Sequence, residues 1–253
     1  MNSLKISSLF LVLPLFLSCS LQKEDLKETR NEREVEKTQT LEFSLQQKRE
    51  ESTKNISVEI RKTFEDAIND LRKTGIVDKA LKVGDKAPSF TLLDSTSEEV
   101  SLKKLLKKGP VVVSFYRGGW CPYCSIELAA LKEALPQIHD LGAELVAISP
   151  EKPDKSRETI EKMNLQFKVL SDKASKVAEY FGIAFEVPND VNGHYKDFGI
   201  NLKESNAGRD NKLPIPATYV IDQEQIIRFA FVEPDYTKRA EPKDVINILK
   251  GLN

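Results

Sequence analysis

Apolar runs alternate with amphipathic segments over most of the second half of the chain, and this alternation predicts an α/β fold. The run at 111–116 and the run at 145–149 are almost continuously apolar, which is typical of strands that are buried on both faces. The predicted elements are strands at 90–92, 111–116, 145–149, 167–170, 217–221 and 226–232, a strand end that runs into a helical turn at 100–106, and helices at 122–141, 154–163, 175–181 and 241–250. Strand–helix alternation followed by a hairpin predicts a central mixed β-sheet flanked by helices.

A separate amphipathic helix is predicted ahead of this domain. Apolar residues recur at helical spacing in the stripe Ile60, Phe64, Ala67, Ile68 and Leu71. Asn55 or Ser57 is a suitable N-terminal cap, and Gly75 is a suitable end. We therefore assign 57–82 to an N-terminal helix and its lead-in and 83–253 to the main domain. Within that domain, Gly, Asn and Pro at 183–212 predict a long irregular insert that could set specificity.

The first residues have the pattern of a secretory signal. Ile6 to Leu17 form an apolar stretch of twelve residues after Lys5, which is shorter than the roughly 20 residues that cross a bilayer. Ser18 and Cys19 follow, so that 1–18 resembles a bacterial lipoprotein signal and Cys19 is the expected lipidation site. The alternative is ordinary cleavage nearby, with Cys19 incidental. Lipidation predicts an exported bacterial protein that is anchored to a membrane and faces the periplasm or the cell exterior.

Charge and composition change the picture only at the N-terminus. Residues 19–56 are rich in Lys, Glu, Gln, Arg and Thr with few apolar positions, which predicts a solvated tether. Over the whole chain the formal net charge is -1. No basic field is present that would attract nucleic acid, so no nucleic-acid partner is expected.

Two of the three cysteines form the sequence Cys121-Pro122-Tyr123-Cys124 between a predicted buried strand and a predicted helix. The start of a helix offers unpaired N–H groups and the positive end of the helix dipole, which stabilise a thiolate. Pro122 suits the first helical turn because its missing N–H costs nothing there. The two thiols are therefore candidate catalytic residues that cycle between dithiol and disulfide. No cofactor is needed.

Other interpretations of this motif remain open. It could be half of a zinc site, although zinc needs four ligands and His139 and His194 are the only histidines. It could also be a structural disulfide, although a loop of two intervening residues stabilises little. Nearby, Arg117 either supports a thiolate or is a solvated loop charge, and Trp120 is expected at the rim of the site.

Three stretches resemble one known family. They are 83–92 (VGDKAPSFTL), 115–124 (FYRGGWCPYC) and 216–222 (PATYVID). They closely resemble the peroxiredoxin-like branch of the alkyl hydroperoxide reductase and thiol-specific antioxidant (AhpC/TSA) family, and the resemblance covers 57–253. It implies a thioredoxin-like fold and antioxidant chemistry with a hydroperoxide as substrate and an external thiol, thioredoxin-like or other, as reductant.

The chain departs from the family pattern at several positions. When Cys124 is matched to the peroxidatic cysteine, Arg117 falls where the family has Pro, and Cys121 falls where it has Thr or Ser. No clear match exists for a late family arginine, and Ser114 stands where thioredoxins carry a buried acid. Fold resemblance also implies a cis proline that packs on the CxxC motif, for which Ile215-Pro216 is the candidate. Alternatively, Pro216 is a turn proline that only delimits the next strand.

Three functions follow from these residues. In a peroxidase, Cys124 would attack the hydroperoxide and Cys121 would resolve the sulfenic acid. In a thioredoxin-like disulfide reductase, Cys121 would attack a protein disulfide and Cys124 would resolve the mixed disulfide. In a non-catalytic, lipid-anchored binding scaffold, neither thiol would matter.

Overall fold

The computed structural model of the chain describes residues 40–208 and 211–252. The predicted signal at 1–18, Cys19 and the tether up to residue 39 lie outside the described residues. Among the residues that are described, no helix combines the length and the apolar character needed to cross a bilayer.

A seven-stranded mixed sheet forms the centre of the domain, with strands in the order β2-β1-β5-β4-β3-β8-β9. The strands are β1 (Thr91–Asp94), β2 (Glu99–Ser101), β3 (Val111–Phe115), β4 (Glu144–Ser149), β5 (Lys168–Ser171), β6 (Ala184–Glu186), β7 (Lys212–Pro214), β8 (Ala217–Ile221) and β9 (Ile227–Val232). Strands β3, β4 and β5 pair in parallel, whereas β8 pairs antiparallel with both β3 and β9. This arrangement confirms the predicted mixed sheet.

The helices are α1 (Leu41–Asn55), α2 (Val58–Lys73), α3 (Ile76–Lys79), α4 (Leu102–Leu106), α5 (Pro122–Asp140), α6 (Pro153–Met163), α7 (Lys176–Tyr180), α8 (Asn189–Asp197), α9 (Leu202–Ser205) and α10 (Pro242–Lys250). A single 3-10 turn, Lys173–Ser175, leads into α7. Helix α5 keeps Pro136 in its interior and is followed by Gly142, whose φ of 69° suits a glycine beyond a helix end.

All five residues of β3 are buried because the strand has a core on each face. Val111, Val113 and Phe115 point into one apolar cluster, and Val112 points into the other. Helices α1, α5 and α10 contribute to the second cluster, which also contains both motif cysteines. The carboxyl end of β3 therefore delivers the chain directly to the cysteine motif.

Helix α1 corrects the predicted tether. Residues 41–55 of the segment 19–56 are helical, and Leu41 and Leu45 are buried against α5 and α10. The carboxylate of Glu241 accepts hydrogen bonds from the backbone N–H groups of Leu41 and Glu42, which begin the helix. Two leucines one turn apart suffice to dock this helix, because the core supplies the apolar surface that the segment itself lacks.

Helix α2 forms where the apolar stripe predicted it. The Ser57 hydroxyl accepts a hydrogen bond from the Ile60 N–H at 3.3 Å, as an N-terminal cap does. Phe64 packs among aromatic rings of the domain, including Tyr195 of α8 at 5.9 Å between ring centroids. No residue of α2 is fully buried, so the helix lies against the domain along one side only.

The insert at 183–212 is not irregular, contrary to the prediction. It contains the two-stranded sheet of β6 and β7 together with α8 and α9. Val187, Val191, Tyr195 and Leu213 form a small buried cluster of their own. Turn-forming residues such as Gly, Asn and Pro mark the joints between these short elements, and the apolar positions between them fold on each other.

Candidate active site

The loop between β3 and α5 depends on two glycines for its close packing. A Cβ atom on Gly119 would lie 2.0 Å from the Thr159 hydroxyl oxygen, and one on Gly118 would lie 2.2 Å from the Trp120 indole nitrogen. Such separations are far below van der Waals contact. Only residues without a side chain allow the loop to run this close to α6 and to bring Trp120 back over itself.

Cys121 is the residue that caps the start of α5, and Cys124 lies in the first turn. Pro122 follows the cap, as expected for a residue that has no N–H to leave unpaired. Both cysteines are free thiols, and both are fully buried. The strand–loop–helix geometry that the sequence predicts is thus present, with the two sulfurs beneath the protein surface.

Arg117 is buried rather than solvated. Its Nη2 donates a hydrogen bond to the Cys121 sulfur at 2.9 Å, and its Nη1 donates one to the Tyr195 hydroxyl at 2.7 Å. The guanidinium lies 4.0 Å from the ring centroid of Tyr236 and 5.2 Å from that of Trp120, so aromatic faces support its charge. Its Nε has no hydrogen-bond partner among the described residues.

These contacts set the acidity of Cys121. Burial acts to raise the pKa of the Cys121 thiol, but the hydrogen bond from Cys124 and the charges of Arg117 and Arg239 outweigh it. The pKa of Cys121 therefore lies well below the usual range. Because a thiolate is the nucleophilic form, Cys121 is the sulfur that the site activates.

Cys124 is shifted in the opposite direction. Burial, together with the hydrogen bond and the negative charge of Cys121, raises the pKa of the Cys124 thiol well above its usual range. Its sulfur accepts a hydrogen bond from Arg239 Nη2 at 3.3 Å. These opposite shifts favour a thiolate at Cys121 next to a protonated thiol at Cys124 in the reduced site.

Arg239 and Glu127 are site residues that the sequence did not indicate. Both side chains are 1% exposed, and Arg239 Nε donates to a Glu127 carboxylate oxygen. Arg239 follows β9 in a charged loop, where no local pattern distinguishes it from a surface residue. The sequence comparison found no clear match for the arginine that the family carries late in the chain. In the structure, Arg239 is an arginine from this late part of the chain that lies beside Cys124.

Glu127 is a buried acid close to Ser114. The sequence had indicated no acid there, because Ser114 stands where thioredoxins carry one. The Ser114 and Thr218 hydroxyls each donate a hydrogen bond to the same Glu127 oxygen at 3.4 Å. Burial raises the pKa of Glu127 to about 7, despite the opposing charge of Arg239. The acid comes from α5 rather than from the preceding strand, which is why the strand sequence did not reveal it.

The remaining predicted site residues lie around Arg117. Trp120 is half-buried, and its ring centroid lies 5.2 Å from that of Tyr195. Pro216 is buried and lines a cavity together with Arg117. The Ile215–Pro216 peptide is trans, so the predicted cis bond is wrong. The backbone enters β8 with a trans peptide bond, and Pro216 nevertheless lines the same cavity as Arg117.

A second carboxylate holds the active-site loop from the opposite side. Glu151 accepts a hydrogen bond from the Gly119 N–H at 2.9 Å and is 3% exposed. Burial raises the pKa of Glu151 to about 7, although the Gly119 contact opposes the shift. This acid changes charge near neutral pH while it is bonded to the loop that carries Arg117.

No group of three or more His, Cys, Asp or Glu side chains within the described residues could hold a metal ion.

Comparison with known sequences agrees with the chemistry of this site. The chain matches the AhpC/TSA family over residues 83–230. It is 38% identical over 103 residues to the putative peroxiredoxin bcp of Haemophilus influenzae, a match that covers 41% of this chain and 66%, just under two thirds, of that protein. It is 32% identical over 161 residues to the chloroplastic peroxiredoxin Q of Sedum lineare, which covers 64% of this chain and 74% of that protein.

Solved structures share the fold. The crystal structure of peroxidoxin BcpB from Mycobacterium tuberculosis matches with a TM-score of 0.53 and 23% identity, over 68% of this chain and 99% of that one. A PrxQ mutant from Xylella fastidiosa matches with a TM-score of 0.53 and 18% identity, over 68% of this chain and 96% of that one. These matches confirm the predicted thioredoxin-like α/β fold.

Proposed function

Because the chain belongs to the AhpC/TSA family, we propose that it is a thiol-dependent peroxidase that reduces hydroperoxides through a dithiol–disulfide cycle of Cys121 and Cys124. Relatives that are named peroxiredoxins support this class of reaction. The observation that carries the proposal is the hydrogen bond of Arg117 to the Cys121 sulfur at 2.9 Å. It places a permanent positive charge on a buried thiolate beside a cavity.

Cys121 is the nucleophile in this proposal. Its thiolate attacks the hydroperoxide oxygen that carries the hydrogen, so that an S–O bond forms and the O–O bond breaks. The sulfur is oxidised to a sulfenic acid, and the leaving alkoxide takes up a proton and departs as an alcohol. The unpartnered Arg117 Nε is an N–H donor for the developing negative charge on the leaving oxygen.

Cys124 completes the oxidative half of the cycle. Its thiol condenses with the Cys121 sulfenic acid, which forms the disulfide and releases water. Two electrons from an external thiol reductant, thioredoxin-like or other, return the pair to the dithiol. Because both sulfurs are buried in the reduced state, the start of α5 must open for that reductant to reach them. These roles reverse the ones that the family match implied. The reason is that the hydrogen bond from Cys124 and the charges of Arg117 and Arg239 lower the pKa of Cys121, whereas burial and the neighbouring Cys121 raise the pKa of Cys124.

Stopped-flow measurements on three proteins test the proposal. The reduced chain is mixed with hydrogen peroxide or an organic hydroperoxide, alongside Cys121→Ser and Cys124→Ser variants. The fluorescence of Trp120 reports oxidation, since it is the only tryptophan and precedes Cys121. We expect fast oxidation that is lost in Cys121→Ser, and a sulfenic acid at Cys121 that dimedone traps in Cys124→Ser. If dimedone instead traps a sulfenic acid at Cys124 in Cys121→Ser and none at Cys121 in Cys124→Ser, the roles are those that the family match implied.

A thioredoxin-like disulfide reductase is the second candidate, because the activated Cys121 at a helix start is also what such enzymes use. Its complete burial argues against a bulky protein disulfide as the first substrate, whereas a hydroperoxide is small enough for the adjoining cavity. Peroxide consumption no faster than that of free cysteine, with brisk reduction of a protein disulfide, would favour the reductase. A chain whose activities all survive alkylation of both cysteines would be a binding scaffold.

We also propose that the protein is exported and anchored to a membrane by a lipid on Cys19. The apolar stretch Ile6 to Leu17, followed by Ser18 and Cys19, supports this proposal. Expression in bacteria with labelled palmitate tests it. The label is expected on the full chain in the membrane fraction and is expected to be absent from a Cys19→Ala variant. A chain that carries no label and stays in the aqueous fraction would contradict the anchor.

A further inference from the structure

A cavity of about 210 Å³ lies between α2 and the main domain and ends at Arg117. Its walls are mostly apolar, with Ala67 and Leu71 of α2 on one side and Val191 of α8 and Pro216 on the other. Helix α2 precedes residue 83, where the family match begins, so one wall comes from a segment that this chain adds to the family domain.

The position of the cavity relates it to the thiols. Arg117 lines its inner end and donates a hydrogen bond to the Cys121 sulfur. Tyr195 and Tyr236 also line it, and both contact the Arg117 guanidinium. The Cys121 sulfur does not itself line the cavity, and Arg117 is the residue that connects the two. A hydroperoxide whose O–O group lies at Arg117 would therefore extend its organic part between α2 and α8.

The charged residues of the lining restrict the kind of tail that fits. Among the described residues that line this cavity, Arg117 is the only basic one, and its guanidinium already donates hydrogen bonds to Tyr195 and Cys121 at the inner end. At the solvent-exposed opening stand two acids, Asp70 and Glu186. Asp70 is paired with Lys73 at 2.8 Å, whereas Glu186 has no ion-pair partner among the described residues. A tail that ends in a carboxylate would be repelled by the unpaired negative charge of Glu186. Among the described residues of the lining, it would find no free cation to pair with.

From these contacts we infer that the cavity is a binding site for the organic part of a neutral, medium-sized hydroperoxide, with α2 as one specificity-determining wall. The inference rests on the proposed peroxidase function. A cavity of about 150 Å³ holds a benzene ring, so the present one has room for roughly a phenyl group and a few further carbon atoms. Cumene hydroperoxide is a probe of that size and is uncharged.

The first test compares hydroperoxides on the reduced full chain by Trp120 fluorescence. Because the organic part gains apolar contacts that hydrogen peroxide cannot make, cumene hydroperoxide is expected to oxidise the chain at least about tenfold faster than hydrogen peroxide does. Its para-carboxylate derivative, equal in shape except for the added charge, is expected to react severalfold more slowly than the parent. Equal rates for all three would overturn the inference.

Variants of α2 and of the opening identify the site. Ala67→Phe fills the cavity and is expected to slow the reaction with cumene hydroperoxide about tenfold while leaving that with hydrogen peroxide unchanged. Asn69→Phe is the matched control, since Asn69 is exposed on the same helix and does not line the cavity. Glu186→Gln is expected to speed the carboxylate derivative about threefold, which corresponds to one unit charge removed at a distance of several ångströms in water.

The outcomes separate the inference from the proposed function. If Ala67→Phe does not fold, Ala67→Leu, which fills less of the cavity, takes its place in the same comparison. Equal slowing of both peroxides by a folded variant, or slowing of neither, would refute the tail site and leave the peroxidase standing. If no hydroperoxide oxidises the chain faster than it oxidises free cysteine, the proposed function itself fails.

Discussion

Replacement of Arg117 by glutamine tests the electrostatic basis of the site most directly. Arg117 is 4% exposed and touches the Cys121 sulfur at 2.9 Å, so its charge acts on the thiolate with little screening by water. Glutamine can still donate a hydrogen bond but carries no charge. The Arg117→Gln variant therefore removes one of the two arginine charges that oppose the effect of burial on the Cys121 thiol.

The size of the effect follows from the ionised fraction of Cys121. In the wild-type chain the pKa of Cys121 lies well below its usual range, so a larger fraction of this thiol is ionised at neutral pH than of an ordinary cysteine. A cysteine with an ordinary pKa of about 8.5 is only about 3% ionised at pH 7. A change from full ionisation to that ordinary value lowers the rate of attack on hydrogen peroxide at pH 7 about 30-fold. The Cys124 hydrogen bond and the Arg239 charge remain in the variant and still oppose burial, so this figure is the loss for a complete return to the ordinary pKa.

Two measurements follow the change. Thiolate absorbance and the rate of alkylation by iodoacetamide are recorded against pH in a background that carries Cys19→Ala and Cys124→Ser, so that only Cys121 reports. The loss in rate is expected to shrink as pH rises, because a raised pKa restores the thiolate at higher pH. Arg117→Lys keeps the charge without the planar fork and is expected to lose less. Arg228→Gln, at a half-exposed arginine of β9 paired with Asp222, is the control and is expected to leave the profile unchanged.

A titration of Cys121 that stays at its wild-type position in Arg117→Gln would refute the electrostatic account. The helix start and the second arginine would then suffice to ionise the thiol. A rate that stays low at high pH, where the variant thiol is fully ionised, would assign Arg117 a further part in stabilising the leaving oxygen.

Three further predictions concern stability and the active-site loop. Leu45→Ala should lower the free energy of unfolding by about 2–5 kcal/mol in urea titrations, because Leu45 is fully buried; an unchanged stability would support the tether instead of a docked α1. Burial raises the pKa of Glu151 from 4.5 in the unfolded chain to about 7, so the folded state binds more protons between these values and stability should fall as pH rises through them. Glu151→Gln should remove roughly 3 kcal/mol of that fall, whereas Glu161→Gln at an exposed acid of α6 should not; equal pH dependence in all three proteins would contradict the assignment. Gly119→Ala should abolish fast peroxide reduction, because its Cβ would lie 2.0 Å from the Thr159 hydroxyl. Thr159→Ala in the same chain should restore part of the rate, and an active Gly119→Ala variant would show that the loop tolerates a side chain.

The features that the sequence revealed are those encoded by neighbouring residues. The apolar run of β3 and the amphipathic stripe of α2 are visible because burial on two faces or on one imposes a repeat within a few residues. The cysteine pair is recognisable for the same reason, since its chemistry depends on a strand end and a helix start that are adjacent in the chain. Even the role of Arg117 could be narrowed to two alternatives, because it is four residues from Cys121.

The features that needed the tertiary structure join residues that are far apart in the chain. Arg239 is a charged loop residue by sequence, and only the packing of that loop on α5 places it beside Cys124 and Glu127. Helix α1 has too few apolar residues to indicate a core position, yet the surface of α5 and α10 buries Leu41 and Leu45. The protonation states of the two thiols also belong to this class, because burial and distant charges, rather than local sequence, decide which sulfur is ionised.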